Sequence, residues 1–253
     1  MLAEVAVVTA DRHVMLTGQC KPCCLVDMTD GSPLRIISLF EDLSDAELST
    51  IAASCVIRTY EKQAQILGEQ DQTTDVFFIL TGTVRFNSYT PTGREVIFNE
   101  MSAGGIFGEF AAVDGLPRSS TVLAVSDCRV ARMTAKKFFE ALEQNGKISV
   151  RLIELLVEKI RAMSERLFEV SALAVRERIR RELLRLARDG NQFRNGVVIR
   201  PAPTHYEIAA RIGSHREAVT REVNRLEAEG IVEVRRRHLR IIDMDRLQKM
   251  QEE

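Results

Sequence analysis

The sequence predicts an α+β protein in three parts: an N-terminal β-roll of jelly-roll type, one long helix, and a C-terminal winged helix-turn-helix. Three observations carry this. Residues 56–133 hold short apolar or β-branched runs parted by turn residues at roughly ten-residue spacing, the pattern of a sandwich or roll. Residues 147–170 repeat apolar side chains at spacings of three and four, as one long helix does. Residues 204–229 read as helix, glycine turn, helix.

The elements follow in order. Residues 1–32 have weak periodicity and end in an Asp30, Gly31, Ser32, Pro33 turn signal, so they read as a loosely ordered arm. Ser44 with Glu47 three residues on is a capping-box signal, and Leu48, Ile51 and Ala52 continue a short helix. Strands are expected at 76–80, around Val84, Arg85 and Phe86, at 96–98 and at 121–125, with a turn at Thr90, Pro91, Thr92 and Gly93. Thr134 caps a short helix to Leu142. The long helix carries Ile153, Leu156, Ile160, Met163 and Leu167 as a coiled-coil-like stripe, widened by Leu152, Leu155 and Phe168. A band that wide suits two partners, the roll on one side and a second copy of the helix on the other. Residues 171–175 are small and read as a hinge. Residues 176–188 form a helix with Ile179, Leu183, Leu184 and Leu186 inside and its arginines outside, and 197–199 a short strand. Thr204 caps the next helix, Gly213 takes a left-handed turn, and 215–229 form the second helix with Val219, Val223 and Leu226 inward. Residues 231–242, with Arg235, Arg236 and Arg237 at their turn, read as a β-hairpin wing. The expected domains are an arm over 1–32, the roll over 33–146, helix and hinge over 147–172, and the C-terminal domain over 173–253.

At 253 residues, with 45% hydrophobic and 28% charged residues, the chain is long enough for two globular domains. No apolar run is long enough for a membrane span, and the first residues carry Glu4 and Asp11 rather than a basic leader, so a cytoplasmic protein with no membrane partner is expected. Charge is uneven. Residues 173–253 hold 18 Lys and Arg against 13 Asp and Glu, whereas residues 1–172 hold 17 against 23. A basic C-terminal third suggests that this part meets a polyanion. A metalloenzyme of cupin type would need histidines in the roll, but the four are His13, His205, His215 and His238. No enzyme, no catalytic residue and no metal are therefore expected.

Two stretches carry chemistry. In residues 108–121, GEFAAVDGLPRSST, Gly108 can bring bare backbone close to a ligand, and Glu109 offers an acceptor for a sugar hydroxyl. Arg118 offers a planar fork of donors for a phosphate, and the Ser119 hydroxyl adds another. A carboxylate for ribose with an arginine for a singly charged phosphodiester is the chemistry of holding a cyclic nucleotide. In the second stretch the leading face of the recognition helix carries His215, Arg216, Glu217, Thr220 and Arg221. Arginine on guanine and glutamate on cytosine N4 are direct-readout pairings, each worth roughly 1–3 kcal/mol of discrimination.

A roll carrying GE…PRSST, followed by a long helix and a winged helix-turn-helix, resembles the cAMP receptor protein group of Crp/Fnr transcription regulators over roughly residues 34–245. The resemblance implies a homodimer along the long helix, with one cyclic nucleotide per roll, whose binding repositions the DNA-binding domains. It places Gly108 and Glu109 at the ribose with Phe110 beside them, Arg118 and Ser119 at the cyclic phosphate, and Met163 and Ser164 at the base. In GSHREAVTR, Arg216, Glu217 and Arg221 match the base-reading positions, which implies a palindrome with TGTGA-like half-sites. Thr204, Tyr206 and His215 match phosphate-holding positions, and Arg235 and Arg236 of the wing join them. Double-stranded DNA and RNA polymerase are the implied partners.

One departure matters. Members selective for cAMP carry Thr-Ser where this chain has Met163 and Ser164, so discrimination at the purine 6-position is expected to be weaker. Ser119 can meet the amino group of a syn guanine, and cGMP is expected to bind as well as cAMP. Two other readings stay open: a redox sensor of the same family with an iron–sulfur cluster on Cys20, Cys23 and Cys24, and a cyclic-nucleotide-binding regulatory subunit that acts on a protein partner.

Overall fold

The computed structural model describes residues 32–189, 195–236 and 238–250, so Cys20, Cys23, Cys24 and Arg237 lie outside the described residues. After short 3-10 turns at Ser32–Ile36 and Ser38–Phe40 come helix α1 (Asp45–Ala52) and strands β1 (Cys55–Tyr60), β2 (Gln65–Leu67), β3 (Val76–Thr81), β4 (Thr83–Tyr89), β5 (Glu95–Ser102) and β6 (Ile106–Phe107). Helix α2 (Glu109–Asp114), strands β7 (Thr121–Ala124) and β8 (Cys128–Met133), and helices α3 (Ala135–Gln144), α4 (Gly146–Ala172) and α5 (Val175–Asp189) follow. The chain closes with β9 (Val197–Ile199), α6 (His205–Arg211), α7 (Arg216–Ala228), β10 (Val232–Arg235), β11 (His238–Ile241) and α8 (Met244–Lys249).

Strands β1 to β8 form two four-stranded antiparallel sheets, ordered β1-β8-β3-β6 and β2-β7-β4-β5. The continuous apolar run Val76, Phe77, Phe78, Ile79, Leu80 of β3 is explained by its place. Side chains alternate across a strand, and both faces of β3 are covered. Phe77 and Ile79 meet Val84, Phe107, Val122 and Val130 between the sheets. Val76, Phe78 and Leu80 face the helical layer of Phe40, Leu48, Phe138, Ile148 and Leu152. Leu152 thus places the start of α4 on the roll, while the far part of the same helix carries Ile160 at 61%, Met163 at 64% and Leu167 at 68% exposure. The apolar band divides between a covered and an open face, as its width predicts.

The capping box at Ser44 forms, and the Thr204 cap is a second one, completed by Glu207. Ser44 accepts from the Glu47 N–H and Thr204 from the Glu207 N–H, and each glutamate reaches back to its cap. Three expectations need correction. First, the break between helices is shorter than residues 171–175. Helix α4 runs through Ala172 and α5 starts at Val175, so only Leu173 and Ala174 are non-helical. Second, the arginines of α5 are not all outside. Arg180 is buried, donating to Glu222 at 2.9 Å, and Arg185 donates to Glu169 of α4 at 2.8 Å. Their partners turn them inward, because a buried carboxylate needs a cation beside it. Third, the wing is not a lone hairpin: β9 adds to it, in the order β10-β11-β9.

The C-terminal part also touches the roll. Helix α6 packs against β5. Arg85 of β4 donates to Glu100 of β5 at 2.7 Å and to Glu207 of α6 at 2.6 Å, and Arg211 of α6 pairs with Glu100 at 2.7 Å. Burial alone would lower the Arg85 pKa; Glu207 and Glu100 outweigh it and leave it raised. Near the two-residue helix break, the fully buried Glu182 carboxylate takes Arg166 of α4 at 3.1 Å and Arg211 at 3.7 Å.

Candidate functional site

The first site forms where β6 ends. Gly108 sits at φ 84° as the N-cap of α2, and Gly115 at φ 70° ends that helix. The segment between the two glycines is a six-residue helix, for which the sequence predicts no element. A side chain at Gly108 has no room: its Cβ would lie 2.7 Å from the Asp75 carbonyl oxygen and 2.9 Å from Arg118 Nη1. Gly108→Ala is expected to destabilise the protein by at least ~1 kcal/mol, through the left-handed backbone and this collision, and to weaken nucleotide binding. Thermal melting and calorimetric titration check both.

Arg118 returns to that glycine from the other end of the stretch and is only 3% exposed. Its Nε donates to Thr73 Oγ1 at 3.0 Å, Nη1 to the Gly108 carbonyl at 2.9 Å and Nη2 to the Asp75 carbonyl at 2.8 Å. A guanidinium has five N–H groups, so one remains on each Nη for a further acceptor such as a phosphate oxygen. Burial lowers the Arg118 pKa, opposed by Asp75, Asp71 and Glu109, and the group stays cationic at neutral pH.

Glu109 is 3% exposed and already has a partner. Lys159 of α4 donates to Glu109 Oε1 at 2.6 Å and to the Ile106 carbonyl at 3.2 Å. The same ammonium lies 5.7 Å from the centroid of the Phe110 ring, which is itself exposed. Sequence reasoning missed Lys159. The available signal was its place one helical turn before Met163, a polar residue on the helix expected to face the ligand. Ser119 is exposed beside Arg118. Ser164 is exposed, with its hydroxyl donating to the Ile160 carbonyl at 3.0 Å.

The second site is the face of α6 and α7. Gly213, at φ 63°, turns the chain between them. Ile208, Ala209, Val219, Val223 and Leu226 lie in the core that holds the two helices together. This leaves Arg216, Glu217 and Arg221 exposed along α7, with His215 exposed at its N-cap. Thr204 and Tyr206 are exposed at the start of α6, and Arg235 and Arg236 at the tip of the wing. All of these candidates are thus exposed on the helical pair and its wing.

Among the described residues, no group of three or more His, Cys, Asp and Glu could hold a metal ion. The two described cysteines are poor thiolates: burial pushes Cys55 up to about 12 and raises Cys128, whose Sγ donates to the Thr83 carbonyl at 3.3 Å. No described helix is long and apolar enough to cross a membrane.

A glycine–glutamate–arginine cassette in a roll, joined to a helix-turn-helix, defines a class of ligand-responsive DNA-binding regulators. The sequence model of the cyclic nucleotide-binding domain matches residues 57–145, and that of the Crp-like helix-turn-helix domain matches residues 177–250. The chain belongs to the Crp/Fnr family of transcription regulators and is a cyclic-nucleotide-binding, DNA-binding regulator rather than an enzyme. It is 28% identical over 192 residues to the cAMP-activated global transcriptional regulator Vfr of Pseudomonas aeruginosa, covering 74% of this chain and 90% of that protein. It is 26% identical over 190 residues to the cAMP-activated global transcriptional regulator CRP of Salmonella typhimurium, covering 75% and 90%. The solved structure of FixK2 from Bradyrhizobium japonicum shares the fold, with a TM-score of 0.67 at 20% identity over 77% of this chain and 96% of that one.

Proposed function

We propose that this protein is a homodimeric regulator switched by cAMP, with cGMP also bound, that recognises a palindrome of TGTGA-like half-sites. The observation that carries the reading is the meeting of Gly108, Glu109 and Arg118 at one point, with a free N–H on each Nη of the buried guanidinium. The relatives Vfr and CRP, both described as cAMP-activated, support the choice of nucleotide. The division into an arm (1–32), roll (33–146), helix and hinge (147–172) and DNA-binding domain (173–253) is part of the proposal. So are RNA polymerase as a further partner and the cytoplasm as the place of action.

The mechanism is a population shift. The cyclic phosphate takes the Arg118 fork and the Ser119 hydroxyl, and the ribose hydroxyls take Glu109 from Lys159. Releasing Lys159 frees α4 from α2. Ser164 meets the purine edge, and Met163 beside it adds no donor, so the 6-position is weakly read. The two non-helical residues Leu173 and Ala174 pass the change to the DNA-binding domain, whose recognition helices then sit about one DNA turn apart in the dimer, roughly 34 Å. A ligand can shift the equilibrium only by its differential affinity for the two states.

The test is calorimetric titration with cAMP and cGMP, followed by selection of DNA sites in the presence of each. Measurable binding and a recovered palindrome are the expected results. No affinity for either nucleotide would sink the reading. Nucleotide binding with no duplex recovered would favour a regulatory subunit acting on a protein.

A further inference from the structure

The recognition helix carries one more polar side chain on its reading side. Thr220 lies three residues after Glu217 and four after Arg216, and residues at those spacings share a helix face. Its hydroxyl is already spoken for. Thr220 Oγ1 donates to the Arg216 carbonyl at 3.0 Å and lies 2.8 Å from His205 Nδ1. A hydroxyl has a single proton. With that proton on the Arg216 carbonyl, Oγ1 accepts from an Nδ1–H, which fixes the tautomer by hydrogen-bond accounting. Burial first, and Arg216 second, hold the His205 pKa below its ordinary value, so the ring carries one proton at neutral pH. His205 is the first residue of α6, so the contact fastens the start of the first helix to the reading face of the second. The Thr220 oxygen is held on two sides, and the γ-methyl is the remaining group on Cβ.

We propose that His205 is a positioning residue that holds Thr220 methyl-outward, and that this methyl recognises the C5-methyl of a thymine in the major groove. The proposal rests on the DNA-binding reading above and adds a specificity to it. A threonine methyl against a thymine methyl is one of the apolar contacts by which the major groove is read. It would place a thymine beside the bases read by Arg216, Glu217 and Arg221, at a position those three do not account for.

The test uses the full-length protein with cAMP and the palindrome recovered by site selection. Each thymine is replaced in turn by deoxyuridine, which deletes only the C5-methyl, and affinity is read by fluorescence anisotropy. One position is expected to weaken binding by about fourfold for each methyl removed. Thr220→Ser, which keeps the hydroxyl and loses the methyl, should erase that difference, and Thr220→Val should keep it. His205→Ala should shrink it, and His205→Asn, whose amide donates from near the place of Nδ1, should restore it. A general weakening of the domain would lower affinity for both duplexes alike and leave the thymine-to-deoxyuridine ratio unmoved. Equal binding of thymine and deoxyuridine duplexes at every position overturns the proposal, as does full discrimination by Thr220→Ser. Failure to bind any duplex sinks the DNA-regulator reading itself, a separable result.

Discussion

Arg118→Leu should abolish nucleotide-dependent DNA binding. A hydrogen bond to a charged group contributes about 1.5–3 kcal/mol, and the proposed phosphate contact uses two, so cAMP affinity is expected to fall at least a hundredfold. The same change leaves the Gly108 and Asp75 carbonyls and the Thr73 hydroxyl without their donor. Each unsatisfied buried group costs about 1–3 kcal/mol, so the melting temperature should drop as well. Arg118→Lys separates the two effects. It keeps the charge but not the fork, and should retain part of the affinity. Titration calorimetry and gel shift with and without cAMP read the outcome. A leucine variant that stays folded and still answers to cAMP would show that the phosphate is held elsewhere.

Ile160→Glu is expected to leave a folded monomer. Ile160 is open on α4 between the likewise open Val157 and Met163, so a carboxylate there is harmless to the single chain. In a dimer it would be buried against its own copy without a cation, a costly arrangement. A monomer engages one half-site at a time. Loss of the second, intramolecular contact is expected to lower DNA affinity by about 10²–10⁴. Sedimentation velocity gives the mass and anisotropy gives the affinity. An Ile160→Glu protein that still sediments as a dimer would move the subunit contact away from this face.

Much of the fold was legible because local signals and burial agreed. Ser44 and Thr204 announce their helices through Glu47 and Glu207, and both boxes form. The stripe on α4 was readable, as was its division, since Leu152 is covered and Leu167 is open. Helix α2 was not readable, because six residues between two glycines are too few to show a helical period. The inward arginines of α5 escaped for another reason. Sequence shows a charge but not its partner, and Glu222 of α7 and Glu169 of α4 lie on other helices than the arginines they hold. The candidate site divides the same way. Gly108, Glu109 and Arg118 are close in sequence and their spacing was telling. Lys159 reaches Glu109 across fifty positions, and the His205–Thr220 contact joins two helices, so neither could be read from spacing.

The Lys159 ammonium, tethered 2.6 Å from Glu109, is a competitor for the carboxylate that cannot be diluted away. On the proposed reading, a ribose hydroxyl at Glu109 would have to share or displace this ammonium, so the apparent dissociation constant is expected to be weaker than that of a site without it. Lys159→Met is accordingly expected to lower the nucleotide concentration at which the proposed switch turns, read by titration of DNA binding.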